Sequence, residues 1–396
     1  MLTEQQRDIV KSTVPLLESG GETLARHFYQ IMLEGYPEVR PLFNQTNQAT
    51  GRQPRALANS VLQYAKNIDH LDQLDAHLVG TIVNKHVALQ VLPEHYPIVG
   101  TCLLQAIRDV LGEEVATDEV IEAWKAAYQQ LADILIGLEA QKYDALEAAP
   151  GGWRGDRAFR VVRKVPESAE ITSFYLEPVD GKPVINFQPG QFIGLRIVID
   201  GKETRRNYSI SSAPNGASLR VSIKREGEGA VSNYLHDHID EGDTLDLFPP
   251  AGEFVLNEDQ RPLVLISGGV GITPTLSMAE AELQRGQRKV VFIHYARNAN
   301  VDAFRSTLEE WRERYANFQL HVVYEESQPS DLPQPDAVGR PDKGQLEAWL
   351  PENRDVDVYF LGPEPFMAFI KKALKELGVP EEQTQYEFFG PEEALN

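Results

Sequence analysis

The hydrophobic pattern of this 396-residue chain changes period twice, and those changes constrain its fold more than any other feature. Over residues 1–147, apolar side chains recur at spacings of three and four, the repeat of one helix face. The pattern runs through "ETLARHFYQIML", "RALANSVLQYAKNI", "YPIVGTCLLQAIRDVLG" and "TDEVIEAWKAAYQQLADILIGLEAQKY". Thr117 is placed to cap the last of these, with acidic residues in its first turn. Prolines in "LEGYPEVRP" and "LQVLPEHYP" break the run. After the Pro- and Gly-rich junction "EAAPGGWRGD" the period shortens towards two. Short strands such as "FRVVRKV", "EITSFYLEPV", "QFIGLRIVI", "RRNYSIS" and "LRVSIKRE" alternate with turn clusters, which predicts an antiparallel β-barrel over residues 153–258. From 261 to 396, apolar runs ("PLVLISGG", "KVVFIHYA", "LHVVYEE", "VDVYFLGP") alternate with helical segments, which predicts a parallel α/β sheet. The expected fold class is multidomain: all-α, then antiparallel β-barrel, then α/β.

Charge and cysteine content remove several functional classes. The formal net charge of −21 disfavours nucleic acid and anionic membranes as non-specific partners. The single cysteine, Cys102, excludes an internal disulfide and any CxxC site. The start "MLTEQQRDIVKS" has no signal-peptide core, and no apolar run approaches the roughly 20 residues that span a bilayer. A cytoplasmic, soluble chain with monomer as the default state is the expectation.

Within the helical region one residue is out of character. Leu71, Leu74, Leu78 and Ile82 form a stripe at helical spacing, and four residues further on it reaches His86. A buried imidazole needs a partner for each ring nitrogen. It is either a core histidine bound to a backbone carbonyl or a metal ligand. Glu139, four residues after Leu135 on the stripe of the last helix, is a carboxylate that burial makes costly unless it is paired.

The later regions carry turns suited to anions. "LVLISGGVGITPTLSMAEAEL" passes from a buried strand through glycines into a helix, so backbone can approach a phosphate at a helix N-terminus. Glycine kept for packing alone is the competing explanation. "RRNYSIS" sends Arg206 and Tyr208 to one strand face, where one suits phosphate and the other an aromatic ring. "GEGAVSNYL" is a further strand-to-helix turn. "HYARNANVDAF" places Arg297 after the second strand of the α/β region, where it suits a 2′-phosphate. One arginine does not decide NADH against NADPH.

In order, "QPGQF", "RRNYS", "GAVSN", "GGVGITP", "LGPEPFM" and "YEFFGP" resemble the ferredoxin–NADP reductase superfamily over residues 153–396. That resemblance implies FAD binding by Arg206, Asn207, Tyr208 and Ser209, with Phe192 near the cofactor. It implies nicotinamide dinucleotide at Gly269, Val270, Gly271, Ile272, Thr273 and Pro274. The terminal Glu387, Phe388, Phe389, Gly390 and Pro391 would border the flavin, Phe389 stacking on its ring. The sequence departs from the pattern at Leu361, where the family often has cysteine, and a thiol near the nicotinamide is therefore missing.

The helical region in turn resembles a globin through "HFYQIM", "PLFN", "GRQPRAL" and "NKHVALQVLPEHYPIVG", and the whole chain resembles a flavohaemoglobin. The family reading makes His86 the iron ligand of haem b, paired with Glu139 and Tyr96. It places Tyr29 and Gln53 on the opposite side of the haem with Leu57 as an apolar wall, and Phe43 against the haem plane. Lys85 and Glu387 fall where the family tunes haem and flavin potentials. The implied reaction is nitric oxide dioxygenation: NADH or NADPH reduces FAD, FAD passes single electrons to haem iron, and dioxygen bound there converts nitric oxide to nitrate. An NAD(P)H oxidase making superoxide or peroxide uses the same cofactors, and an oxygen or nitric oxide sensor or store is the third alternative.

Overall fold

The computed structural model describes residues 2–43, 52–71 and 76–389. Among the described residues, six α-helices lie in the first part: α1 (Glu4–Ser12), α2 (Val14–Gly35), α3 (Arg52–Lys66), α4 (Ala76–Leu89), α5 (His95–Leu111) and α6 (Asp118–Ala148). Their ends follow local chemistry. Thr3 and Gln6 form a reciprocal capping box on α1. A proline-bearing 3-10 turn, Pro37–Leu42, ends the run of α2. Val120 N–H donates to the Thr117 hydroxyl at 3.4 Å, so the expected cap on α6 forms, with Asp118 and Glu119 in the first turn. The core of this part centres on Phe28, Met32, Leu103, Ile107 and Trp124.

The expected stripe into α4 is corrected at its start. The helix begins at Ala76, so Leu71 is not on it, and Leu74 lies outside the described residues. The face that α4 does bury carries Val83 and Val87, and His86 borders it.

The second region is antiparallel: β1 (Arg157–Pro166), β2 (Ile171–Pro178), β3 (Phe192–Ile199), β4 (Lys202–Ser209), β5 (Leu219–Lys224), helix α7 (Ala230–His238) and β6 (Thr244–Leu247). The strand order is β4-β3-β6-β1-β2-β5. Gly190, in the "QPGQF" turn before β3, adopts φ +104°, and a Cβ there would stand 2.1 Å from the Phe254 carbonyl oxygen. Only glycine permits that approach.

The third region alternates: β7 (Leu263–Gly268), α8 (Ile272–Arg285), β8 (Val290–Ala296), α9 (Arg305–Arg314), β9 (Phe318–Tyr324), β10 (Ala337–Val338), α10 (Lys343–Trp349), β11 (Asp357–Leu361), α11 (Glu364–Glu376) and β12 (Thr384–Tyr386). All its strand pairs are parallel, in the order β10-β9-β8-β7-β11-β12. Both sheet faces are covered by apolar clusters, which explains why β7 and β8 are buried at every position. The order reverses between β7 and β11, and ligands of open parallel sheets bind at the carboxyl ends of such strands. The chain forms two compact units, Met1–Ala148 with Arg196–Arg206, and Ala149–Leu195 with Asn207–Phe389.

Candidate functional site

In the helical unit, three polar side chains meet in an apolar setting. The His86 Nδ1 lies 2.7 Å from Glu139 Oε1 and 3.3 Å from the Tyr96 hydroxyl. Tyr96 donates to the same Glu139 oxygen at 2.5 Å. The Glu139 side chain is 3% exposed, so its carboxylate depends on these two donors rather than on water. With the Nδ1 proton given to Glu139, the lone pair resides on Nε2 (a tautomer assigned from this geometry). His86 is one-third exposed while its partner is buried, so one nitrogen is anchored and the ring keeps an accessible side. That donor set suits a metal whose remaining ligands come from a macrocycle. Burial and the Glu139 bond both push the Tyr96 hydroxyl far above its ordinary range, so it remains a donor at neutral pH.

Neighbouring residues fix this group. Tyr128, three turns before Glu139 on α6, donates to the Tyr96 carbonyl at 2.7 Å. Its ring occupies the space over Gly100, where a Cβ would stand 2.6 Å from it. Tyr143 donates to the Val91 carbonyl at 2.8 Å, tying α6 to the turn after α4. Sequence reasoning missed Tyr128 and Gly100. The available signal was that Tyr128 and Glu139 share a helix face, as do Tyr96 and Gly100.

Tyr29, Phe43 and Leu57 come together in the helical core. Tyr29 is buried and packs edge-on against Phe43 with ring centroids 5.5 Å apart. Gln53 is on the first turn of α3, and its side chain lies outside what the structure describes. Lys85 is half-buried on α4, one residue before His86.

On β4, Arg206 and Tyr208 are half-buried, Asn207 is exposed and Ser209, at the strand's end, is buried. Phe192 opens β3 and is buried, packed against Gly252, where a Cβ would approach its ring to 2.9 Å. Phe388 joins the core of the parallel sheet, whereas Phe389 is exposed. Glu387 is half-buried between them and β12. Gly390 and Pro391 lie outside the described residues.

The glycine turn after β7 forms a cradle. Gly269 adopts φ +54° and a Cβ there would meet nothing within 4 Å. A Cβ on Gly271 would stand 2.2 Å from the Leu361 carbonyl oxygen, so the turns after β7 and β11 touch backbone to backbone. Leu361 itself is buried. Helix α8 starts immediately after, with Thr273 donating to the Val270 carbonyl and Pro274 buried in its first turn. Close backbone approach plus a helix N-terminus at the switch point fits a dinucleotide pyrophosphate. Beneath this turn lies a buried polar chain that the sequence reading missed. Ser267 and His294, paired across β7 and β8, hydrogen-bond at 2.8 Å, and Tyr324 donates to Asp302 at 2.6 Å near His294 Nε2. Burial holds the His294 imidazole below its ordinary range.

Three protein-family models match in chain order. They are the globin family at residues 26–135, the oxidoreductase FAD-binding domain at 158–256 and the oxidoreductase NAD-binding domain at 265–372. Fold and site together define an oxidoreductase in which a globin precedes an FAD- and NAD-binding reductase module. The chain is 60% identical over 396 residues, all of both chains, to the flavohemoprotein of Pseudomonas aeruginosa. It is 48% identical over 400 residues to that of Deinococcus radiodurans, covering 100% of this chain and 98% of the other. Among solved structures, the flavohemoglobin of Malassezia yamatoensis with bound FAD and heme matches with a TM-score of 0.86 and 27% identity, covering 98% of this chain and 100% of that one. The FAD/NAD-binding domain of a nitric oxide dioxygenase from Vibrio cholerae matches with a TM-score of 0.55 and 35% identity, over 60% of this chain and 100% of that one. The chain belongs to the flavohaemoprotein family.

Proposed function

We propose that this protein is an NAD(P)H-dependent nitric oxide dioxygenase of the cytoplasm. The observation that carries the reading is the buried Glu139 carboxylate bonded to His86 Nδ1 at 2.7 Å. An anionic partner on that proton increases the electron donation of Nε2 to a bound metal, as suits activation of dioxygen rather than simple storage. When bound, haem supplies a one-electron iron centre for dioxygen, and FAD converts the hydride of NAD(P)H into single electrons. Support for nitric oxide as the co-substrate comes from the Vibrio cholerae protein, whose reductase part is 35% identical to this chain's.

Each residue has an assigned task. When haem is bound, His86 would hold the iron, Glu139 keeps the Nδ1 proton and the ring orientation, and Tyr96 holds Glu139. Tyr29, aided by Gln53, would supply a hydroxyl donor at the gas site, while Leu57 and Phe43 would keep the pocket apolar. Arg206 would pair with flavin phosphate, and Tyr208 and Phe389 would offer ring faces to the flavin. Asn207, Ser209, Phe192 and Phe388 complete its surroundings, with Lys85 and Glu387 setting the local charge. The turn from Gly269 to Pro274 receives the dinucleotide. Nitric oxide consumption by the haem- and FAD-loaded protein tests the reading, with His86→Ala as control. Nitrate formed in step with nitric oxide loss, and abolished in the variant, is the expected result; peroxide as the main product would overturn it.

A further inference from the structure

The first residue after β8 is Arg297, and it is not a free guanidinium. It forms an ion pair with Glu170. Glu170 belongs not to the nucleotide-binding sheet but to the turn between β1 and β2 of the FAD domain. We propose that Glu170 is the residue that determines coenzyme specificity, reserving the dinucleotide site for the coenzyme that lacks a 2′-phosphate. The proposal rests on the NAD-binding reading of the glycine turn and not on the gas chemistry.

The placement follows from strand order. β8 is the direct neighbour of β7, whose carboxyl end carries the glycine turn. In parallel sheets of this arrangement the residue that follows the neighbouring strand meets the adenosine ribose. A carboxylate there accepts the ribose hydroxyl protons, whereas an arginine admits a 2′-phosphate. This chain has the arginine on the strand and brings the carboxylate from another domain. The turn that delivers it is held from several sides. Ala169 N–H donates to the Asn300 carbonyl at 2.9 Å, on the segment just after Arg297. Arg225 N–H donates to the Glu170 carbonyl at 2.7 Å, and Ser168 Oγ accepts from Ile171 N–H at 3.1 Å. Ile171 is itself packed into the core of the parallel-sheet domain. Glu170 thus reaches Arg297 from a backbone that is held in place, so only the two side chains must be ordered to form the pair.

Charge in the vicinity acts in the same direction. Glu325 and Glu326 are exposed, and their N–H groups donate to the carbonyls of Ala296 and Arg297, each at 3.0 Å. Glu170 is thus the carboxylate paired with the guanidinium at the end of β8, and the backbone of two further glutamates borders the same segment. The Glu170 and Arg297 side chains are 31% and 60% exposed, so a ribose can reach both. A neutral diol can donate to the Glu170 carboxylate, whereas a 2′-phosphate must displace it from Arg297 and stay beside it.

The test uses the FAD-loaded full chain with ferricyanide as electron acceptor, which reads hydride transfer without nitric oxide or nitrate. Failure of the dioxygenase reading is thereby kept separate. Calorimetric titration with 2′,5′-ADP and 5′-ADP gives a readout independent of activity. The wild type is expected to favour NADH. In Glu170→Gln, the NADPH-to-NADH ratio of kcat/KM and the relative affinity for 2′,5′-ADP should each rise about tenfold, the scale of losing one nearby unscreened charge. Adding Arg297→Gln to that variant should remove the gain. A wild type that favours NADPH, or a Glu170→Gln protein with both ratios unchanged, overturns the proposal. If Glu170→Gln does not retain FAD, Arg297→Gln alone decides: weaker 2′,5′-ADP binding supports the proposal, and unchanged binding overturns it.

Discussion

Glu139→Gln isolates the charge of the buried carboxylate from its shape. The amide keeps an oxygen where Glu139 Oε1 accepts from His86 Nδ1 at 2.7 Å and from Tyr96 at 2.5 Å, but it carries no charge. A hydrogen bond to a charged group contributes about 1.5–3 kcal/mol against about 0.5–1.5 for a neutral one, so roughly 1–1.5 kcal/mol of interaction is lost. Global stability should change little, because the variant also removes the cost of keeping a charge at 3% exposure. The difference should appear at the metal. An anionic partner favours ferric over ferrous iron, and 59 mV corresponds to a tenfold change for one electron, so the haem potential should rise by about 40–65 mV. Tyr96→Phe should move it the other way by a smaller amount, since the carboxylate then bears on His86 alone. Spectroelectrochemical titration of the haem-loaded proteins checks both. A Glu139→Gln potential that is unchanged or lower would refute the reasoning.

Three further perturbations test other parts of the molecule. Tyr29→Phe removes the hydroxyl proposed as donor to the gas ligand; a hydrogen bond of that kind to a charged group contributes about 1.5–3 kcal/mol, so dioxygen should leave about 10- to 150-fold faster in flash or stopped-flow measurements; an unchanged rate would take Tyr29 out of the pocket. Gly271→Ala forces a Cβ to within 2.2 Å of the Leu361 carbonyl, so NADH-driven flavin reduction should drop sharply while FAD absorbance is retained, and normal reduction would contradict the cradle. Burial keeps folded His294 neutral below its ordinary value of 6.5, whereas the unfolded chain takes up a proton there. Stability is therefore fully present above that value and falls as pH drops through it, by up to about 1.4 kcal/mol per pH unit for one proton. Urea midpoints measured across that range should show a shallower fall in His294→Gln; an identical slope would refute the assignment.

The parts that were legible in the sequence are those set by local periodicity. The shift from helical to alternating pattern located the regions, Thr117 announced the start of α6, and Glu139 stood out as a carboxylate on an apolar stripe. Strands β10 and β12, of two and three residues, are too short to show a period. Leu71 shares the spacing of α4 without being on the helix, since spacing alone does not mark where a helix starts. Contacts between distant residues were not legible from pattern at all. His86 and Glu139 are 53 positions apart, and only family resemblance paired them. Glu170 and Arg297 are 127 apart and on different domains, and nothing in either local sequence points to the other.

The most direct measurement is the isotopic composition of the nitrate made from unlabelled nitric oxide under 18O-labelled dioxygen. It would use the haem- and FAD-loaded protein and NADH, with superoxide dismutase present. A dioxygenase places both atoms of one dioxygen in each nitrate, and the dismutase has no effect. Nitrate without paired label, or nitrate replaced by peroxide when the dismutase is added, would contradict the account and make the protein an oxidase.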